Sequence, residues 1–218
     1  MKLLFLRLEG VMQSWGEHSK WDERDSALMP TKSGVIGLIA CALGYRRGDP
    51  RIVDLSHKLT MAVRADRPGE ITIDFHTVQG MPSMLNSEGK KRQENTIISH
   101  RHYLQDAAFL VVLSGAEETL ESCAAALKAP IYPPFLGRKS CPPTVPLMVE
   151  LNDRYDSLQE ALEKYPRADR SHGHLMTQIE TPSGTAVRRD NILNSAQRHF
   201  ARRTVALGSV NPSEVSVS

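Results

Sequence analysis

Between residues 3 and 128 the hydropathy pattern spells strand, helix, strand, strand and then, after an interruption, strand and helix, an order that few architectures accept. The opening MKLLFLRLEG has only four consecutive apolar residues before Arg7 and Glu9 interrupt it, too few for a signal-peptide core or a membrane span, and it reads as a strand. A polar connection holding Trp15 and Trp21 leads to TKSGVIGLIACALG, a helix capped by Thr31 or Ser33 and stopped by Gly44. Val35, Ile36, Leu38, Ile39 and Leu43 make it apolar nearly all round, so it has to be buried. LTMAVRA (59–65) and ITIDFHT (71–77) alternate, and the DRPGE between them predicts a hairpin turn. AAFLVVL (107–113) reads as a central strand, and EETLESCAAALK as a helix burying Leu120, Cys123, Ala124 and Leu127.

This order predicts an α+β chain with a ferredoxin-like (RRM-like) domain carrying a long insertion, although other α+β folds share it. The insertion, VQGMPSMLNSEGKKRQENTIISHRHYLQD at about 78–106, is far longer than an ordinary hairpin connection. It is locally basic, with Lys90, Lys91, Arg92 and Arg101 set against Glu88, Glu94 and Asp106. Beyond it, DSLQEALEKY predicts a helix with Leu158, Ala161, Leu162 and Tyr165 on one stripe, followed by strands around 174–180, 184–189 and 199–207. The expected organisation is therefore a domain over 1–150 with its insertion, a smaller, mostly β part over 151–208, and a frayed tail over 209–218.

The net charge of +2 is too small to argue for a polyanionic partner, so the distribution of charge has to carry that question. Three cysteines, Cys41, Cys123 and Cys141, are odd in number and far apart, which fits a reducing cytoplasm better than a disulfide scaffold or a structural zinc site.

The most distinctive charge cluster is YPPFLGRKSCPP (132–143), where four prolines frame Gly137, Arg138, Lys139 and Ser140. Guanidinium, ammonium and closely approachable backbone N–H groups are what a phosphate needs, and fixed φ angles lower the entropy lost on ordering such a turn. A plain solvent-exposed turn fits the motif equally well. A second basic run, VRRDNILNSAQRHFARR, sets Arg188, Arg189, Arg198, Arg202 and Arg203 against Asp190, a pattern more often found on a solvated surface. Three such clusters favour RNA or DNA contact. Acid–base cleavage of RNA would call on His76, His100, His102, Tyr103 or Lys90. The His100/His102 and His172/His174 pairs lack a third ligand at convincing spacing, so no metal is expected. PTKSG lacks the glycines of a phosphate-binding P-loop.

Four segments, LRLEGVMQSWG, PTKSGVIGLIACALG, DFHTVQG followed by HRHYLQDAAF, and YPPFLGRKSCPPTVPL, occur in the order and spacing of one family. In them the chain resembles the CasD family, the subunits that bind the 5′ handle of the guide in type I-E CRISPR Cascade complexes. The likeness is strong over 3–151 and weak over 166–198. It implies a ferredoxin-like domain whose insertion is a thumb that kinks the guide and packs on the backbone subunit CasC, with CasA and, indirectly, target DNA as further partners. It implies RNA contact by Gln13, Trp15, Lys32, His76, Lys90, Lys91, Arg92, Arg101, His102, Gly137, Arg138, Lys139 and Ser140, and partner contact by Met81, Met84 and Leu85. It implies no cofactor, a cytoplasmic location, no membrane contact and no catalysis. Type I-C relatives of the same fold cut precursor RNA without metal, so an endoribonuclease is the alternative. A protein-only docking module is a third reading.

Overall fold

Strand β1 (Leu3–Glu9) sends Leu4, Leu6 and Leu8 into one core and Leu3 and Phe5 into another, as befits a strand inside a sheet covered on both faces. The computed structural model describes residues 1–20, 22–80, 85, 88–91, 96–168 and 173–212. Two very short strands follow in the polar connection, β2 (Met12–Gln13) and β3 (Glu23–Arg24). Helix α1 (Lys32–Ala42) starts where Thr31 Oγ1 accepts the Gly34 N–H at 3.3 Å and ends before Gly44, whose φ of +76° suits glycine. Its apolar circumference is buried as expected. Helix α2 (Arg51–Lys58) was not expected; with only Ile52, Leu55 and Ser56 turned inward, it is too short for a helical period to stand out in the sequence.

The remaining elements are β4 (Thr60–Arg67), β5 (Glu70–Gln79), β6 (Thr96–Gln105), β7 (Ala108–Ser114), α3 (Glu117–Lys128), β8 (Met148–Asn152), α4 (Leu158–Lys164), β9 (Leu175–Glu180), β10 (Ala186–Asn194) and β11 (His199–Val210). Among the described residues seven strands form one antiparallel sheet in the order β10-β11-β9-β4-β7-β1-β8. Its run β4-β7-β1-β8, with α1 and α3 as connections, has the ferredoxin-like strand order. The three C-terminal strands continue that sheet beyond β4.

One sequence expectation is overturned. Residues 59–65 and 71–77 do not pair with each other: β4 pairs with β7 and β9, whereas β5 pairs along its whole length with β6, from Glu70↔Gln105 to Gln79↔Thr96. The turn chemistry between them marks a pivot, because Gly69 (φ +74°) and Asp106 (φ +51°) redirect the chain where it leaves and rejoins the main sheet. A Cβ on Gly69 would sit 2.4 Å from the Gln105 carbonyl oxygen, so the two strands leave the sheet in close backbone contact. β5 and β6 then form an arm, buried at Tyr103 and Leu104 near its base and exposed at Phe75, Thr77, Ile98 and His100 further out.

The sheet face opposite α1 and α3 is closed by α4, whose Ala161, Leu162 and neighbouring Tyr165 pack on Leu3, Phe5, Ala62, Leu110 and Val112. Arg64 lies wholly buried beneath α4. Its Nε and Nη2 donate to the Asp66 carboxylate at 2.5 and 3.2 Å, Nη1 to the Leu162 and Tyr165 carbonyls at 2.6 and 2.7 Å, and Nη2 to the Pro166 carbonyl at 2.9 Å. All five N–H donors of the guanidinium are thereby engaged, and the carbonyls at the end of α4 gain partners. Among the described residues no helix is long and apolar enough to cross a membrane.

Candidate nucleic-acid interface

The proline-framed turn is seated on the chain that follows β1. Leu136 is buried, its N–H donates to the Cys141 carbonyl at 2.8 Å, and the Cys141 N–H donates to the Arg138 carbonyl at 2.9 Å, which closes the turn on itself. The Ser14 N–H donates to the Leu136 carbonyl at 3.1 Å, and the Thr144 N–H to the Glu9 carbonyl at 2.9 Å, so both ends of the turn are tied to the same segment. Gly137 has φ +88°, and a Cβ there would fall 1.7 Å from the Ser14 carbonyl oxygen, so glycine is required twice over.

Arg138 is half-buried and points at the protein. Its guanidinium lies 4.6 Å from the Tyr103 ring centroid, and Nη2 donates to the Arg24 carbonyl at 2.7 Å and the Asp25 carbonyl at 3.4 Å. It therefore stitches the turn to the base of the arm and to the 16–26 loop. That loop is organised in turn by Asp25, which accepts the Glu17 and His18 N–H groups and the Ser19 hydroxyl. Burial tends to raise the Asp25 pKa, but the hydrogen bonds from Ser19, His18 and Glu17 outweigh it and hold the carboxyl below its ordinary value. Lys139 and Ser140 stand exposed at the crest, and among the described residues the Lys139 ammonium makes no hydrogen bond or ion pair.

The second sheet has two faces with different chemistry. Register places Thr72, Asp74 and His76 with Tyr103, Arg101 and Ser99, and Arg24 opposite Arg101, on the face that meets Arg138. His76 Nδ1 lies 3.6 Å from Asp74 Oδ2, and Arg101 Nε donates to Ser99 Oγ at 3.3 Å. Ile71, Ile73 and Phe75 share the other face with Leu104, His102 and His100, where His102 Nε2 lies 3.4 Å from Glu23 Oε1 and the Phe75 and His100 rings meet edge-on at 5.5 Å. The structure thus brings together Arg101, His76, Gly137, Arg138, Lys139 and Ser140, and adds Arg24, which the sequence reading passed over in the polar DERD run. His102 falls on the opposite face. Lys90 and Lys91 belong to the outer arm, where Leu85 is exposed and bridges to Lys91. Met81, Met84 and Arg92 lie outside the described residues.

Three candidates are corrected by their burial. Gln13 is fully enclosed: Nε2 donates to the Leu8 and Ala107 carbonyls at 3.0 and 2.8 Å, and Oε1 accepts the Trp15 indole N–H at 3.1 Å. The Trp15 ring packs against α1 at Gly34, where a Cβ would come within 2.8 Å of it. Lys32 donates from Nζ to Glu180 at 2.8 Å inside a buried cluster, so none of the three is available to a strand of RNA. Sequence alone could not separate them from surface residues, because glutamine, tryptophan and lysine are also the residue types that RNA contacts use.

The same cluster divides the C-terminal arginines. Arg203 makes a bidentate pair with Asp190 at 2.8 and 2.8 Å, Asp190 also accepts the Lys32 backbone N–H at 2.8 Å, and Arg188 Nε lies 3.2 Å from Glu17. Burial works to raise the Asp190 pKa, but the Arg203 hydrogen bond and charge, with help from the Lys32 N–H and Arg188, leave it lowered. A lowered folded-state pKa contributes stability above the unfolded value of about 4 that is lost as pH falls through the folded value. The urea midpoint of the wild type is therefore expected to hold at neutral pH and drop below about pH 4, with Asp190→Asn already weakened at pH 7 and its acid drop smaller. Equal acid slopes in the two proteins would refute this assignment. Among the described residues no group of three His, Cys, Asp or Glu side chains is arranged to hold a metal.

A family model described as CRISPR-associated protein (Cas_Cas5) matches residues 3–206. The match runs through the 166–198 stretch, where the sequence reading found little likeness. The chain is 37% identical over 174 residues to the CRISPR system Cascade subunit CasD of Escherichia coli (strain K12), covering 74% of this chain and 76% of that one. It superposes on a chain of a CRISPR RNA-guided surveillance complex with a TM-score of 0.82 at 34% identity, covering 96% of this chain and 90% of that one. A crystal structure described as a Cas protein aligns with a TM-score of 0.77 at 35% identity, covering 96% and 95%.

Proposed function

The chain belongs to the Cas5 family of CRISPR-associated proteins, and from that premise we propose that it is the CRISPR RNA-binding subunit of a Cascade surveillance complex, gripping the 5′ handle of the guide without cutting it. The observation that carries this reading is the joining of the exposed Lys139–Ser140 crest to the Arg24, Arg101 and His76 face through the Arg138–Tyr103 stack. A flexible strand crossing that face would meet cations and hydroxyls at fixed positions, which suits phosphate contact. Kinking of the guide falls to the β5–β6 arm. Its exposed Ile73, Phe75 and Ile98 offer apolar cover to the backbone subunit CasC, with CasA and target DNA reached through the assembled complex in the cytoplasm.

The disposition of acid–base groups supports a binding role. Tyr103 is buried beneath Arg138 on the face it shares with His76, whereas His100 and His102 lie on the other face, so the acid–base residue types are divided between the two faces of the arm instead of being gathered at one site. Lys139→Ala is expected to weaken binding of handle RNA and flatten the salt dependence by roughly one unit of log K per log salt. In the same experiment repeat RNA incubated with the wild-type chain in EDTA stays intact. Unchanged affinity and slope would overturn the handle assignment, and specific cleavage abolished by His102→Ala would replace it with a nuclease.

A further inference from the structure

The arginine-rich C-terminal hairpin is only half used by the buried cluster. Arg188 and Arg203 pair in register and turn inward, toward Glu17 and Asp190. The ladder then shifts between Arg188↔Arg203 and Asn191↔Ala201, which leaves Arg202 opposite the bulged Arg189–Asp190 step. Asp190 is buried, whereas Arg189 and Arg202 are both exposed, two like charges side by side on neighbouring strands. Such a juxtaposition destabilises a sheet unless something anionic lies over it.

The tip of the hairpin repeats the pattern. Arg198 is one of two non-glycine residues among those described with positive φ, +56°, at a turn position that ordinarily selects glycine or asparagine. Exposed His199 follows it. The neighbouring loop between α1 and α2 brings Arg46 and Arg47, both exposed, because Gly48 packs against the tip, with a Cβ built there 3.4 Å from Ala196 Cβ. The acid in that loop, Asp49, is already occupied by Arg51, which donates to it from Nε at 3.0 Å and from Nη2 at 2.6 Å. Among the described residues the guanidinium groups of Arg46, Arg47, Arg189, Arg198 and Arg202 have no ion-pair or hydrogen-bond partner.

We propose that this hairpin and the Arg46–Arg47 loop form a second phosphate-backbone surface, separate from the turn at Gly137–Ser140, which holds nucleic acid by charge without reading its sequence. The proposal takes from the reading above only that nucleic acid is the partner. Three guanidinium groups on the hairpin and two on the Arg46–Arg47 loop repel one another, and a polyanion relieves that repulsion while releasing its own counterions. The shared chemistry is a phosphodiester backbone, supplied either by the guide or by duplex DNA entering the complex.

The test uses the guide-bound Cascade assembly and the free chain, with Arg47→Ala/Arg198→Ala/Arg202→Ala as the variant. Binding of handle RNA to the free chain, and of an unrelated DNA duplex to both forms, is measured across a potassium chloride series. The expected result is a tenfold or greater loss of affinity for one of the two polymers, with the slope of log K against log salt lowered by about two to three. Loss confined to duplex identifies DNA as the occupant, and loss confined to handle RNA identifies the guide. The melting temperature of the free variant is expected to be no lower than wild type, because the removed charges repel one another. Unchanged affinities and slopes for both polymers overturn the proposal, including the case in which the surface instead holds an acidic protein. Failure here leaves Lys139→Ala to judge the handle site on its own.

Discussion

Arg64→Met is expected to cost about 3–5 kcal/mol of folding stability, the usual loss when one partner of a buried ion pair is removed. The methionine fills much of the space, but it leaves the Asp66 carboxylate without its cation and the carbonyls of Leu162, Tyr165 and Pro166 without donors. Asp66 and the Leu162 and Tyr165 carbonyls are enclosed, so water cannot replace what they lose; Pro166 is only partly buried. The Ala168 N–H to Asp66 hydrogen bond, 2.8 Å, is too little to hold the charge alone. Urea unfolding of the purified chain measures the loss directly, and a change below about 1 kcal/mol would show that the pair is not the clasp described here. Arg64→Met combined with Asp66→Leu is expected to recover part of the difference, because the uncompensated charge disappears with the second substitution. This pair holds α4 across the sheet face opposite α1 and α3. In the function proposed above, that closed face leaves RNA the second sheet and its flanking turn.

Gly137→Ala is the second large effect, and it is expected at the interface more than in global stability. The added methyl group collides with the Ser14 carbonyl oxygen, and the backbone is held at a φ that costs a non-glycine residue on the order of 1–3 kcal/mol. The turn can escape only by lifting from the 10–14 segment, which carries Arg138 away from Tyr103 and moves Lys139 with it. Handle RNA affinity is expected to fall at least tenfold, with the urea midpoint lowered by no more than that backbone cost, since Leu136 and Cys141 are the only residues of the 132–143 turn that join the main core. This separates Gly137 from Lys139, whose loss removes one charge without disturbing the turn. A Gly137→Ala protein with wild-type RNA affinity would mean that the geometry of the turn is irrelevant to binding.

The long strands of the first half, the caps of α1 and the helix at 117–128 were legible because they follow from local rules: a cap hydroxyl, a terminal glycine, and apolar residues at regular spacing; α2 and the two-residue strands β2 and β3 are too short to leave such a pattern. The turn at 132–143 was legible as a rigid cationic feature for the same reason. Its partners were not: Arg138 meets Tyr103, Arg24 and Asp25, all distant in sequence. Gln13, Trp15 and Lys32 were misplaced on the surface because burial of a polar side chain is decided by partners, and Leu8, Ala107, Glu180 and Asp190 come from four separate segments.

The sequence by itself determined the longer strands and helices, the central position of β7, and the presence of three basic clusters, because periodicity and composition act within a few residues of each other. Only the tertiary structure decided that β5 leaves the main sheet to form an arm, since pairing choice depends on which strand edge is free once β7 and β9 have taken both sides of β4. It alone decided which arginines are spent on Asp190 and Glu17 and which remain for a ligand. A charge carries no mark of direction along the chain, and its role is fixed by whatever the fold brings within hydrogen-bond reach.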